Sequence, residues 1–195
     1  MRYLELKKEI LQNIFTIRDV IKFFPEEKSA TTRNQLSRLA KSGQIYPLKR
    51  GVYCFDPSLI TDLELAKILA PDSYISLESA LNYYGIIPDI PLSVTSITLA
   101  KGKNIKNRWG NFLYFHFKKE LFFGFQAIKD QENGNFFNLV YKEKALLDYF
   151  YLRKIRKLSG LRLQLKRLDF KKYHLFAQSF PDWVSNIKLN EQFSR

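Results

Sequence analysis

The densest group of side chains suited to recognition chemistry lies between Lys28 and Phe55. This stretch holds six basic residues (Lys28, Arg33, Arg38, Lys41, Lys49 and Arg50) and no acidic one. Amide and guanidinium groups make paired hydrogen bonds to the major-groove edges of adenine and guanine, so Asn34, Arg38 and Gln35 are the candidates for base contacts. Thr31, Thr32, Arg33 and Lys41 suit phosphate oxygens, the threonines because they fall near the start of a predicted helix whose amides attract anions. Lys49 and Arg50 sit at the tip of a predicted hairpin and are assigned to the DNA backbone or a minor groove. Tyr53, on a strand of that hairpin, reads as core.

No comparable group points to catalysis. The carboxylates of Leu77-Glu78-Ser79-Ala80-Leu81 and Ala145-Leu146-Leu147-Asp148 invite an acid–base reading, but carboxylates in such settings more often cap a backbone or pair with a cation. His116 and His174 stand alone, Cys54 lies far from both in sequence, and the spacing of a zinc site is missing. There is no glycine-rich phosphate loop and no Gly-x-Ser-x-Gly elbow. A metal-dependent nuclease needs clustered carboxylates beside a lysine. The Glu-x-Lys triplets Glu5-Leu6-Lys7 and Glu26-Glu27-Lys28 both fall in the amino-terminal helices, which disfavours a restriction-like enzyme. No catalytic residue, metal ligand or cofactor is therefore assigned.

Composition agrees with an anionic partner. The chain has 195 residues, 32 basic and 19 acidic, for a formal charge of +13. A single cysteine excludes an internal disulfide framework and suits a reducing compartment. The charged start, Met1 to Glu9, has no apolar core of signal-peptide length, and no segment approaches the roughly 20 apolar residues that cross a bilayer. These features predict a cytoplasmic protein without a membrane partner.

The elements that must position the basic group follow from periodicity. Residues 3 to 14 place Leu4, Ile10, Leu11 and Ile14 at a mostly helical spacing. A second helix opens at Thr16 with Asp19 as a capping-box partner, carries Val20, Ile21, Phe23 and Phe24, and stops at Pro25. The third is capped by Ser29 or Thr31, buries Leu36, Leu39 and Ala40, and ends at Gly43 in a left-handed cap. At about 100° per residue, Asn34, Arg38 and Lys41 point away from Leu36. Two β-prone runs, Gln44 to Pro47 and Val52 to Phe55, flank Leu48-Lys49-Arg50-Gly51, with Gly51 supplying a positive φ. Three helices and a basic hairpin make a winged helix-turn-helix over residues 1–56.

Asp56-Pro57-Ser58 interrupts this pattern, and residues 57–195 read as a second, α+β domain with a mostly antiparallel sheet and a helical end. Thr61-Asp62-Leu63-Glu64 opens a helix through Leu69, and another runs from Leu77 to Tyr84. Ser93 to Leu99 and Asn111 to Phe117 alternate like half-buried strands. Phe122 to Lys129 and Phe136 to Tyr141 flank the hairpin signal Glu132-Asn133-Gly134-Asn135. From Lys142 the pattern turns helical, with one stripe at Ala145, Leu146, Tyr149 and Phe150 and another at Leu161, Leu165 and Leu168. Cations concentrate at Lys101, Lys103, Lys106 and Arg108, read as a loop next to Trp109, and from Arg153 to Lys172 in the helical end, where only Asp169 offsets them. That surface suits an acidic protein, an extended DNA footprint or RNA.

The run Gln35 to Ile45, continuing through Leu48 to Tyr53, resembles the winged-helix start of the AbiEi-type antitoxins of type IV, AbiE-like abortive-infection systems. Tyr74 to Ile86 and Lys142 to Tyr149 fit the same resemblance. It implies a repressor of its own operon that binds operator DNA through Arg33, Asn34, Arg38, Lys41, Lys49 and Arg50, with a carboxy-terminal domain that counteracts a nucleotidyltransferase-like toxin. A regulator without a toxin partner, sensing a small ligand, is the alternative, and a nuclease a more distant one.

Overall fold

The computed structural model describes residues 2–130, 134–166 and 168–189. Glu132-Asn133 and Arg167 lie outside them. The chain divides into two compact units, Met1–Thr61 and Asp62–Arg195. Asn13 exchanges two hydrogen bonds with the Asp56 backbone, at 2.7 and 2.8 Å, and so ties that residue to the first unit.

In the first unit, helix α1 (Tyr3–Glu9) is shorter than its periodicity suggested. Leu6 and Ile10, one turn apart, face the core, whereas Leu4 and Leu11 are exposed. Residues 10–13 of the expected helix are irregular, and its last residue, Ile14, opens strand β1 (Ile14–Thr16), a run of β-branched and aromatic residues. It is drawn into an antiparallel ladder with β3 (Val52–Cys54), Ile14 opposite Cys54 and Thr16 opposite Val52. Such a long-range partner cannot be read from local spacing.

Helix α2 (Ile17–Phe23) starts as its sequence dictates. The Asp19 amide donates to the Thr16 hydroxyl at 3.3 Å, and the Thr16 amide donates to the Asp19 carboxylate at 2.8 Å. The Thr16 hydroxyl also donates to the Asp19 carboxylate at 2.7 Å, and this bond, followed by the one from the Thr16 amide, holds the Asp19 carboxyl below its usual range. Thr16→Ala should cost about 1 kcal/mol, read as a lower melting temperature of the full chain. Because the folded-state value is depressed, the Asp19 contribution is complete above the ordinary carboxyl value of 3.8 and is lost as pH falls through the folded one. The gap between wild type and variant should therefore close in acid.

Helix α3 (Ser29–Lys41) follows. Its N-cap is Lys28 and no side chain caps it, so neither Ser29 nor Thr31 fills the expected role. Gly43 adopts φ +71° just past the end, as the sequence required. Strand β2 (Tyr46–Lys49) pairs with β3 to complete a three-stranded sheet of order β1-β3-β2. Leu6, Ile10, Phe15, Val20, Leu36 and Ile45 form one core, with Tyr53 and Phe55 packed against it.

The second unit is α+β. Helix α4 (Asp62–Leu69) leads into β4 (Ser73–Ile75), α5 (Leu77–Tyr83), β5 (Val94–Thr98), β6 (Lys103–Asn107), β7 (Gly110–His116), β8 (Phe125–Lys129) and β9 (Phe136–Val140). These strands form one sheet of order β6-β7-β5-β4-β9-β8, in which three of the five pairings are antiparallel. Lys103 and Lys106 lie within edge strand β6, not in a loop, and Trp109 occupies the turn to β7 beneath the Arg108 guanidinium. Cationic side chains along an edge strand also discourage pairing with other chains.

Helix α6 (Lys142–Arg153) ends where Lys154 turns left-handed. The helix expected through Leu161, Leu165 and Leu168 does not form. The backbone there bonds elsewhere, with the Gln164 amide donating to the Ile86 carbonyl at 2.8 Å, and Leu165 and Leu168 are buried from an irregular segment. Most of the basic tail is thus not helical. Two short helices close the unit, α7 (Phe170–Ala177) and α8 (Asp182–Ser185). No helix among the described residues is long and apolar enough to cross a membrane.

At the centre of the unit, α6 buries Lys144 and Asp148 completely and in direct contact. Asp148 also accepts from the Ser76 and Tyr74 hydroxyls at 2.7 and 3.3 Å, and the Lys144 ammonium donates to the Leu121 carbonyl at 3.0 Å. The rings of Phe117, Phe123 and Phe180 surround that ammonium at 4.8–5.1 Å. Burial pushes the Asp148 carboxyl up and the Lys144 ammonium down, each opposed by the charge of the other. The carboxylate is therefore a paired core group, sealed from any substrate.

Candidate nucleic-acid interface

Helix α3 is held by one face. Leu36 is fully buried, and Leu39 and Ala40 pack against the same core. The opposite side carries Asn34, Arg38 and Lys41, all exposed, with Arg33 and Thr31 exposed on the flanks. A helix anchored this way can lay long polar side chains into a major groove while its apolar face stays in the protein. The helical phase produces both faces at once, so the arrangement follows directly from residue order.

Thr32 is a correction. It is fully buried and its hydroxyl donates back to the Lys28 carbonyl at 3.4 Å, so it does not reach a phosphate. The reason is angular: Thr32 precedes Leu36 by four residues and lies only about 40° from it, on the core face. Arg33, about 60° from Leu36 on the other side, has a side chain long enough to emerge. Gln35 is half-buried, and its amide donates to the Glu27 carboxylate at 3.4 Å. A base contact by Gln35 would have to compete with that bond.

The hairpin presents the remaining cations. Gly51 takes φ +76° in the turn, and its carbonyl accepts from the Ile17 amide at 3.0 Å, which fastens the tip to the start of α2. Arg50 is exposed beside it, whereas Lys49 is half-buried on the strand. The ladder between β2 and β3 shifts register between Pro47 and Lys49 and turns Leu48 into the core. Tyr53 stacks on Phe15, with ring centroids 5.9 Å apart, and is a core residue. Glu27, just ahead of α3, places a carboxylate at the border of the acid-free stretch that begins at Lys28.

Among the described residues, no group of three or more His, Cys, Asp or Glu is placed to hold a metal ion. The one free cysteine, Cys54, is buried.

Three helices with a β-hairpin, the third helix packed through Leu36 and carrying a basic outer face, together make the architecture of a winged helix-turn-helix. Residues 5–55 match the family described as "Transcriptional regulator, AbiEi antitoxin". The matched segment lies in the amino-terminal unit, which is thus similar to the regulatory domain of that antitoxin family, and it contains the first of the three stretches that carry the resemblance. Tyr74 to Ile86 and Lys142 to Tyr149 lie outside the matched segment. No curated protein matches the chain.

Proposed function

We propose that this protein is an antitoxin and transcriptional autorepressor: its winged helix binds operator DNA, and its second unit counteracts a nucleotidyltransferase-like toxin without itself being an enzyme. The observation that carries the reading is the outward face of α3, where Asn34, Arg38 and Lys41 stand opposite a completely buried Leu36 in a domain matched to regulatory antitoxins. Asn34 and Arg38 read base edges, Arg33, Lys41 and Thr31 bind phosphates, and Arg50, with Lys49 behind it, follows the backbone beside the groove. Repression follows from this reading, since a protein seated on its own promoter excludes polymerase.

Footprinting of the full-length protein on DNA upstream of its own gene tests the first half. Protection of a discrete site that persists in excess competitor DNA is expected, and uniform affinity for unrelated duplexes would overturn it. Co-expression with the neighbouring gene tests the second: growth arrest by that gene, relieved by this protein, is expected. Relief should survive Arg38→Ala, because the helix face and the antitoxin unit are separate. Chelator-sensitive cleavage of plasmid DNA would overturn the non-enzymatic reading.

A further inference from the structure

The carboxy-terminal unit contains a second cationic feature that repression does not use. Arg156, Lys157 and Lys188 converge on a cavity of about 480 Å³ whose wall includes Trp183 and Asn186. All three cations are exposed, and among the described residues no carboxylate lies within salt-bridge distance of any of them. Other cations of this region are already engaged: Arg153 forks onto Glu78 at 2.7 and 3.0 Å, Arg162 meets Asp89 at 2.5 Å, and Lys172 lies 3.2 Å from the Tyr141 ring centroid. Lys154, Lys166 and Lys171 are also exposed and, among the described residues, without a carboxylate in salt-bridge distance, but Arg156, Lys157 and Lys188 are the ones that share a cavity wall.

Its aromatic wall is braced. The Trp183 indole stacks on Tyr151, with centroids 5.9 Å apart and planes 22° from parallel, and the Arg156 guanidinium lies 5.2 Å from the indole centroid. A flat cation resting on an aromatic ring offers a stacking plane to a nucleobase and N–H groups to a phosphate. Flanking ammonium groups and a nucleotide-sized hollow complete what phosphorylated nucleotides require of a site. An acidic protein surface would be served equally well by scattered lysines and needs neither the hollow nor the indole.

We propose that this cavity binds a phosphorylated nucleotide, with the phosphate held by Lys157 and Lys188 and the base stacked at Arg156 and Trp183. The ligand is either a free nucleotide or the end of a single strand.

The test uses the full-length protein with Trp109→Phe, which leaves Trp183 as the only tryptophan. Its fluorescence is titrated with AMP, with a 5′-phosphorylated oligoadenylate octamer and with inorganic phosphate. Saturable changes with AMP or the octamer are expected; comparable affinities assign the free nucleotide, and a much tighter octamer assigns the strand end. Arg156→Ala should weaken binding by about tenfold. Lys157→Ala and Lys188→Ala, at exposed positions that disturb no packing, should each weaken it as well. No saturable change with any phosphate-bearing probe would overturn the proposal, as would unchanged affinity in all three variants. Polyglutamate displacing the octamer at equal charge concentration would replace it with an acidic protein partner.

Discussion

Replacing Arg38 and Arg50 together with alanine should lower the affinity of the full-length protein for its promoter about a hundredfold, each lost contact removing about 1.4 kcal/mol. The two residues contribute differently, and the single variants separate them. Arg50 is exposed at a turn fastened to α2; with the backbone role proposed for it, Arg50→Ala should weaken specific and random DNA alike. It also lowers the slope of log affinity against log salt by about 0.9, the share of one phosphate. Arg38 points away from the fully buried Leu36 on the outer face of α3, where base contacts are proposed. Arg38→Ala should therefore cost promoter affinity more than random-DNA affinity and relax the preference at one base pair. Fluorescence anisotropy across a salt series measures both. Equal loss on promoter and random DNA in the Arg38 variant would remove α3 from base recognition.

Asp148→Ala should destabilise the carboxy-terminal unit by about 3–5 kcal/mol, because it leaves the Lys144 ammonium wholly buried without its counter-ion. The Tyr74 and Ser76 hydroxyls lose an acceptor in the same step. Small domains have a total stability of about 5–15 kcal/mol, so this single change should bring the unit close to unfolding. Removing both charges, as Lys144→Met with Asp148→Leu, should recover most of the loss, since a buried pair often exchanges for apolar side chains at little cost. Recovery stays incomplete because the two hydroxyls remain unmatched. Denaturant unfolding followed by near-ultraviolet circular dichroism reports on the rings around Lys144. A mild Asp148→Ala effect would mean that water reaches this pair.

Several parts of this account are legible from residue order alone. Thr16 followed by Asp19, Leu36 followed by Leu39 and Ala40, and the positive-φ demands at Gly43 and Gly51 are local, so spacing suffices to read α2, the two faces of α3 and the hairpin turn. The acid-free charge pattern from Lys28 to Phe55 is equally local, and with the helix order it implies a nucleic-acid surface. Thr32 shows how narrow the margin is: one residue's phase, about 100°, separates an exposed Thr31 from a buried Thr32.

What the sequence withheld depends on partners distant along the chain. Ile14 closes a helical spacing but opens a strand because β3, some forty residues on, supplies a ladder. Leu161, Leu165 and Leu168 share a helical period, yet the Gln164 amide is claimed by Ile86 and the helix is lost. Lys144 and Asp148 look like an ordinary surface pair one turn apart. Only the convergence of Tyr74, Ser76, Leu121 and three phenylalanines around them makes the pair a core element. Periodicity and capping are written in neighbouring residues and so belong to the sequence; desolvation and long-range pairing exist only once the chain has closed on itself.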